Sequence, residues 1–425
     1  MVILVLIFCV GVIVWFFIYA KPTPTPSLGD TSNPLLVKDT PIRHQFINKD
    51  GDDPLPPTST STTEITPFIP QPLSNIWKDP TTGQTFVTEN RLVEVESKEI
   101  IGTTTVTSKR FVQATGTILM FVDRNTGHIS GHSEESHKTY QISNTTLPGI
   151  YDAYIFNNGK SVIMRYEDLD TKSIVATLAT IPTVREDSQA KPLEKISNLP
   201  SQVTSVAVNK KATSLSYLVS NDTGSSVYTI EGDKKAMLVT SSPLKELTLS
   251  YGGKNLYATI KPSAYVKGQT VLLPTFEYIL GDKTGLMSLP GENGALLNSM
   301  WSSSGLKTFL SNKNTLKVLT ISTLASKCVW VNPPFIFCAV SKTIPKGPEG
   351  LPDDWFQGRV SFNDYIMILN SNSSTSTPLF YFNSVSNLPF DVVGLTVSTD
   401  NSLIGFVRKQ DGGLWLLDTT LIKEE

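Results

Sequence analysis

Two of the chain's three cysteines, Cys328 and Cys338, bracket a pair of prolines in "KCVWVNPPFIFCAV". A metal site, a redox couple or a covalent staple are the chemistries open to such a pair. If the chain reverses at Asn332-Pro333-Pro334, the midpoint of the two cysteines falls on the turn and they oppose one another on adjacent strands. Opposed strand residues have Cα atoms about 4.5–5.5 Å apart, within disulfide range. Zinc would need further soft or imidazole ligands, and the remaining cysteine, Cys9, lies in an apolar N-terminal run; no CxxC redox spacing is present. The spacing predicts a Cys328–Cys338 disulfide and hence an oxidising exterior, with two buried free thiols as the alternative. Val329, Val331, Phe335 and Phe337 would then share one apolar face of the hairpin.

Three of the four histidines crowd into "GHISGHSEESHK" as His128, His132 and His137. A turn at Glu134-Glu135 would set His132 opposite His137, a pair able to share a zinc or copper ion, while His128 would lie roughly 13 Å along the strand. Two imidazoles on a wet hairpin tip make at most a weak site, so a solvated polar turn is the simpler reading. "NKDGDD" resembles the start of a calcium loop but has Asp53 where the sixth-position glycine belongs. Asp168 and Asp170 fall where a surface turn is expected. No Gly-x-Ser-x-Gly elbow occurs, and no Gly-rich loop stands between a strand and a helix, so the sequence supports neither catalysis nor a cofactor.

One long segment remains, "PKGPEGLPDDWFQGRVSF" from Pro345 to Phe362. It is rich in turn formers and interrupts the surrounding strand pattern, as functional loops do. Asp353, Asp354, Trp355 and Phe356 form its candidate binding surface, with Trp355 either the exposed anchor of a contact or a plug against its neighbours.

The elements that would position these groups are strands. Among 425 residues, 40% are apolar and the formal charge is −2, which gives no basic excess for nucleic acid. Residues 2–20 carry no charge and, as a helix, would span about 28 Å, one hydrocarbon core. They are read as a single membrane anchor (1–20), with a cleaved signal peptide as the competing reading. Residues 21–90 hold twelve of the 27 prolines in a Pro/Ser/Thr-rich linker. From 91 to 420 one hairpin design recurs: "DAYIFNNGKSVIMRY", "SVAVNKKATSLSYLV", "LTLSYGGKNLYATI", "SMWSSSGLKTFL", "CVWVNPPFIFCAV" and "LTVSTDNSLIGFV". A seventh unit can be assembled from "RLVEVESKEIIGTTTV" and "GTILMFVDRN". Units that cannot bury their own faces stack around an axis, so the expected fold is an all-β propeller of seven blades, with six or eight as alternatives, followed by a tail at 421–425.

Three segments, "SNTTLPGIYDAYIFNNGKSVIMRYED", "MFVDRNTGHI" and the stretch from Cys328 through "LPDDWFQG" to Ile366, resemble uncharacterised envelope propellers with TolB-like or WD40-like repeats from candidate-phyla bacteria. The resemblance implies an N-terminal anchor, a linker and a propeller outside the cytoplasm. It carries no biochemical role. The chain departs from such repeats by having "VNPP" where a Ser-Pro-Asp-Gly turn is usual. The functional expectation is a membrane-anchored module that binds an envelope or surface protein or a glycan without catalysis. An envelope hydrolase using the central channel and a structural envelope component are the alternatives.

Overall fold

The computed structural model describes residues 76–423 apart from 79–84, 89–90, 99, 108–116, 134–135, 169–170, 210–213, 233, 313–314, 383–388, 399–400 and 420. Seven four-stranded antiparallel sheets follow one another along the chain. The protein is a seven-bladed β-propeller with almost no helix. Blade 1 spans residues 100–143, blade 2 150–198, blade 3 203–242, blade 4 247–284, blade 5 287–318 and blade 6 328–380. Blade 7 is closed by a distant piece: Val392–Val397, Leu403–Arg408 and Leu414–Asp418 are joined at the outer edge by Arg91–Glu96, which pairs with Leu414–Asp418. A strand from the start of the propeller thus completes the last blade and closes the ring. A separate three-stranded sheet is formed by Ile76–Lys78, Thr85–Thr88 and Leu421–Lys423, so strands occur within the segments assigned to linker and tail. The anchor at residues 2–20 and the calcium-like "NKDGDD" lie outside the described residues. Among the described residues, no helix is long and apolar enough to cross a membrane.

Each strand alternates its side chains between two neighbouring blades, and apolar clusters accordingly fill the seams. Ile118, Met120 and Ile142 of blade 1 meet Ile150, Val162 and Met164 of blade 2. Phe337 and Ile368 of blade 6 pack with Phe406 and Leu417 of blade 7, together with Phe382 and Phe390 from the connection. Leu119 and Phe121 of blade 1 meet Leu403 and Leu414 of blade 7, so the seam of closure is as apolar as the others. Between blades 4 and 5 a polar chain runs instead. Thr259 bonds Thr270 at 3.0 Å, Thr270 bonds Ser288 at 2.8 Å, and Ser288 donates to Asn298 Oδ1 at 2.7 Å. Asn298 in turn donates to Ser311 at 2.9 Å, so these buried groups satisfy one another.

Five of the six repeated hairpins are the first and second strands of blades 2, 3, 4, 6 and 7. Asn158 and Gly159, at φ 51° and 72°, and Gly253, at 61°, take the positive φ that such tight turns demand. The sixth, "SMWSSSGLKTFL", is the second and third strands of blade 5, because the innermost strand is only the four residues Met287–Pro290 and escapes the pattern. The assembled seventh unit is also corrected. "RLVEVE" belongs to blade 7, whereas "IIGTTTV" and "TILMFVD" are the first two strands of blade 1. Pairing across the ring leaves no local sequence mark, so the boundary between those blades was invisible.

Candidate functional site

The cysteines stand where the hairpin argument places them. Cys328 is paired in register with Cys338, their Cα atoms are 4.1 Å apart, and a disulfide joins them. The chain turns at Asn332, whose carbonyl accepts the Phe335 N–H at 3.1 Å. Phe337, with Val329, Val331 and Phe335 beside it, faces blade 7, while the two cysteines face blade 5. The disulfide therefore ties the first strand of blade 6 to the second inside the seam between blades 5 and 6.

Immediately before Cys328, Lys327 ends the short 3-10 turn Ala325–Lys327 with no exposed surface. Its Nζ donates to Asp391 Oδ1 at 2.5 Å and to the Val392 carbonyl at 2.8 Å, and lies 2.8 Å from Asp364 Oδ2. Asp364 opens the third strand of blade 6, and Asp391 precedes the first strand of blade 7. Both carboxylates are buried. Asp364 Oδ2 also accepts the Val392 N–H at 2.8 Å, but Oδ1 has no partner. Burial consequently pushes its pKa up to about 6, against the opposing pull of the Lys327 ammonium. Asp391 is better satisfied, accepting the Trp355 indole N–H at 2.9 Å, the Phe362 N–H at 3.2 Å and the Ser361 hydroxyl at 3.2 Å.

That last set of bonds pins the long loop. In an up-and-down blade, the entry to the first strand and the link between second and third strands lie at the same end. Lys327, Asp391 and the loop 345–362 therefore share one end of the ring. The loop crosses several blades there. Asp353 Oδ2 accepts the Ala264 N–H of blade 4 at 2.5 Å, and Trp355 packs with Leu306 of blade 5 and with Leu324, Leu351 and Phe362. Lys409 of blade 7 donates to the Trp355 carbonyl, and its Nζ lies 4.4 Å from the indole centroid. Gly350 turns at φ +88°, where any Cβ would lie 2.3 Å from Trp301 Nε1, so the backbone lies directly on blade 5.

The four candidate binding residues divide accordingly. Trp355 is only 6% exposed, so of its two readings, exposed anchor or plug against its neighbours, its burial fits the plug. Asp354 is fully buried and accepts the Glu349 and Gly350 N–H groups at 3.0 and 2.6 Å, so it folds the loop on itself. Asp353 is committed to Ala264. Phe356 alone is open, at 50% exposure, following its buried neighbours in the one-turn helix Asp353–Phe356. On the blade 4 link whose Ala264 bonds Asp353, Tyr265 is 66% exposed and donates its hydroxyl to Glu349 at 2.5 Å, while Glu349 pairs with Arg359 at 3.4 Å.

His132 does not pair with His137. It is buried opposite Thr139, whose hydroxyl meets Nδ1 at 3.0 Å, and His137 leaves the ladder at φ 55° on an exposed turn. The predicted register was wrong because the turn takes in His137 itself, Ser133 bonding Lys138 across it. Burial lowers the His132 pKa, reinforced by His137 and opposed by Glu186. His128 bonds Thr146 and Gln141 through its two ring nitrogens. Among the described residues, no three His, Cys, Asp or Glu side chains gather as a metal set would. Asp168 caps its own turn by accepting the Thr171 N–H at 2.8 Å, and Asp170 lies outside the described residues.

The buried Lys327–Asp364–Asp391 cluster was missed by sequence reasoning. Its only sequence signal was a charge embedded at the edge of each of three apolar runs, "ASKCVW", "FNDYIMIL" and "PFDVVGL".

No family model matches the chain. No curated protein matches it either. Solved structures that resemble it do so at low identity. The β-propeller domain of Cps50 (Swd1) from Myceliophteria thermophila is 8% identical, with 78% of this chain and 100% of that chain covered and a TM-score of 0.46. The PQQ domain of pyranose dehydrogenase from Coprinopsis cinerea is 11% identical over 82% and 98%, at 0.42. The β-propeller domain of the Trilobed protease from Pyrococcus furiosus is 8% identical over 62% and 80%, at 0.40.

Proposed function

We propose that this chain is a membrane-anchored, extracytoplasmic binding module that presents a fixed patch at one end of its propeller and performs no chemistry of its own. The observation that carries the reading is Phe356 held half exposed on a backbone pinned to blades 4 to 7, with Tyr265 on the adjoining link. An aromatic side chain on an already ordered backbone loses little entropy on contact, the usual property of a binding anchor. The partner is a protein or glycan of the envelope or of another surface. The Cys328–Cys338 disulfide supports an oxidising compartment, and the uncharged run at residues 2–20 supports the anchor. The two carboxylates that converge, Asp364 and Asp391, are out of contact with solvent and serve the loop rather than a substrate.

The test is capture of envelope components by the tagged full-length chain in mild detergent, comparing wild type with Phe356→Ala/Tyr265→Ala. One partner recovered stoichiometrically by wild type and depleted roughly tenfold by the double variant, at equal thermal midpoint, supports the reading. Equal recovery by both proteins rejects it.

A further inference from the structure

Two carboxylates share one ammonium at a place closed to solvent. The side chains of Lys327, Asp364 and Asp391 have no exposed surface. Lys327 Nζ stands 2.8 Å from Asp364 Oδ2 and 2.5 Å from Asp391 Oδ1, with the ring centroids of Phe362 and Trp355 at 4.7 and 5.1 Å. As a purely structural ion pair the cluster is poorly made. Its three groups carry one negative charge in excess, and Asp364 Oδ1 is a buried acceptor without a donor. The two carboxyl groups also differ in their surroundings. Asp391 meets the Trp355 indole, the Ser361 hydroxyl and the Phe362 N–H as well as the lysine. Besides the lysine, the Val392 N–H bonds Asp364, and burial pushes the Asp364 pKa up to about 6, so this carboxyl is the one suited to take up a proton.

We infer that Lys327 and Asp364 become joined by an intramolecular amide, an autocatalytic crosslink with Lys327 Nζ as nucleophile, Asp364 Cγ as electrophile and Asp391 as proton carrier. The ammonium first gives a proton to Asp364, leaving a neutral amine beside a carboxylic acid, an arrangement that a dry site favours over separated charges. Nζ, oriented by its bond to the Val392 carbonyl, attacks Cγ, and the carbonyl electron pair moves onto Oδ2 as the C–N bond forms. The Val392 N–H, 2.8 Å from that oxygen, holds the oxyanion. Asp391 takes a proton from the nitrogen and hands it to the Oδ1 hydroxyl, the Cγ–Oδ1 bond breaks, and water leaves. Ammonium and carboxylate thus become amide and water, with Asp391 restored and no other reactant consumed. The fold holds the groups in contact, which supplies the proximity the step needs, and exclusion of solvent opposes the reverse hydrolysis. Departure of Oδ1 also removes the unpartnered acceptor. The bond ties the turn ahead of blade 6 to the third strand of that blade, enclosing the Cys328–Cys338 disulfide and the loop 345–362 in one covalent ring. It forms only in the folded chain, so newly folded protein holds the ionic cluster, in which Asp364 titrates, and mature protein holds the amide. The bond is made once within the chain and acts on no other molecule, so the binding reading stands or falls without it.

The test is peptide mass mapping of the full-length chain, purified in detergent, aged at neutral pH, reduced and digested with trypsin. Trypsin cuts after a free Lys327, and Asp364 falls in the separate peptide 360–408. The expected product is a branched species in which 318–342, uncut at Lys327, is joined to 360–408 and the pair is lighter by one water than the sum of the two. Fragmentation should place the bond at Asp364, since Asp391 lies in the same peptide. Lys327→Arg, which keeps the charge without the nucleophile, and Asp391→Asn, which removes the proton carrier, should each give linear peptides only. The wild-type peptide decides the matter even if either variant folds poorly. Linear peptides alone from aged wild-type protein, a bond to Asp391, or a branched product from Asp391→Asn at the wild-type yield would overturn the proposal.

Discussion

Lys327 and Asp391, 64 residues apart in the chain, meet with 2.5 Å between Nζ and Oδ1 and with neither side chain exposed to water. Asp391 is at the same time the acceptor for Trp355, Ser361 and Phe362. One buried carboxylate thus joins the first strands of blades 6 and 7 to the loop that carries Phe356. Removing one member of a buried ion pair strands the other, which typically costs about 3–5 kcal/mol. Asp391→Ala is expected to lower stability by about that amount in urea denaturation. Lys327→Met/Asp364→Asn/Asp391→Asn should recover part of the loss, since all three charged members of the cluster are then gone and no buried charge is left behind.

The burial of Trp355 fixes the result of truncating it. Trp355→Ala removes a large side chain from the cluster of Leu306, Leu324, Leu351 and Phe362, and large-to-small changes of this kind cost about 3–5 kcal/mol. Trp355→Phe keeps most of the packing and loses only the indole donor to Asp391, so it should cost about 1–3 kcal/mol. Denaturation midpoints of the two variants in that order support the plug; a Trp355→Ala protein of native stability would contradict it.

The pH dependence follows from Asp364. Its pKa in the folded chain is pushed up to about 6 by burial, above the ordinary carboxylate value, so the folded state holds this proton more tightly than the unfolded state does. Its contribution therefore rises as pH falls from about 6 to about 4 and is absent above that window, amounting to about 1–3 kcal/mol. His132 acts with the opposite sign: its lowered pKa withdraws stability as pH falls below the ordinary histidine range. The informative quantity is the difference between wild type and Asp364→Asn. The variant should lose the acid-side gain between pH 6 and 4, and identical pH profiles would show that Asp364 is not protonated in that window.

The disulfide closes a loop between positions ten apart in sequence, and a loop of that length is worth about 2–3 kcal/mol in the unfolded-chain account. Reduction should add two protons to the peptide spanning 328–338 of the exported protein, read by intact mass. Cys328→Ala/Cys338→Ala should lower stability by about that amount and leave the Phe337 face of blade 6 packed against blade 7. No mass gain on reduction would remove the argument for an oxidising compartment.

Features built by neighbours in sequence were legible before the structure was. The Cys328–Cys338 pairing, the apolar face of Val329, Val331, Phe335 and Phe337, and the glycine and asparagine turns all depend on a few adjacent residues. The blade count followed from their recurrence. Where a feature joins remote segments, the sequence was silent. Arg91–Glu96 looks like part of the first blade but closes the last one, and Lys327 finds Asp364 and Asp391 only when two blades meet. For Trp355 the sequence left the anchor and the plug both open. Its acidic neighbours suggest a wet loop, but Asp353 and Asp354 are consumed by backbone N–H groups at Ala264, Glu349 and Gly350, which turns the tryptophan inward and leaves Phe356 outside.

The most direct measurement of the central claim is site-specific photo-crosslinking in intact cells producing the full-length chain. A benzoylphenylalanine is placed at position 356 and, as a control on the rim, at exposed position 316 of blade 5. A discrete adduct from position 356 that is absent from position 316 and disappears with Tyr265→Ala is the predicted result. No adduct at 356, or the same adducts from both positions, would contradict a binding patch at this end of the propeller.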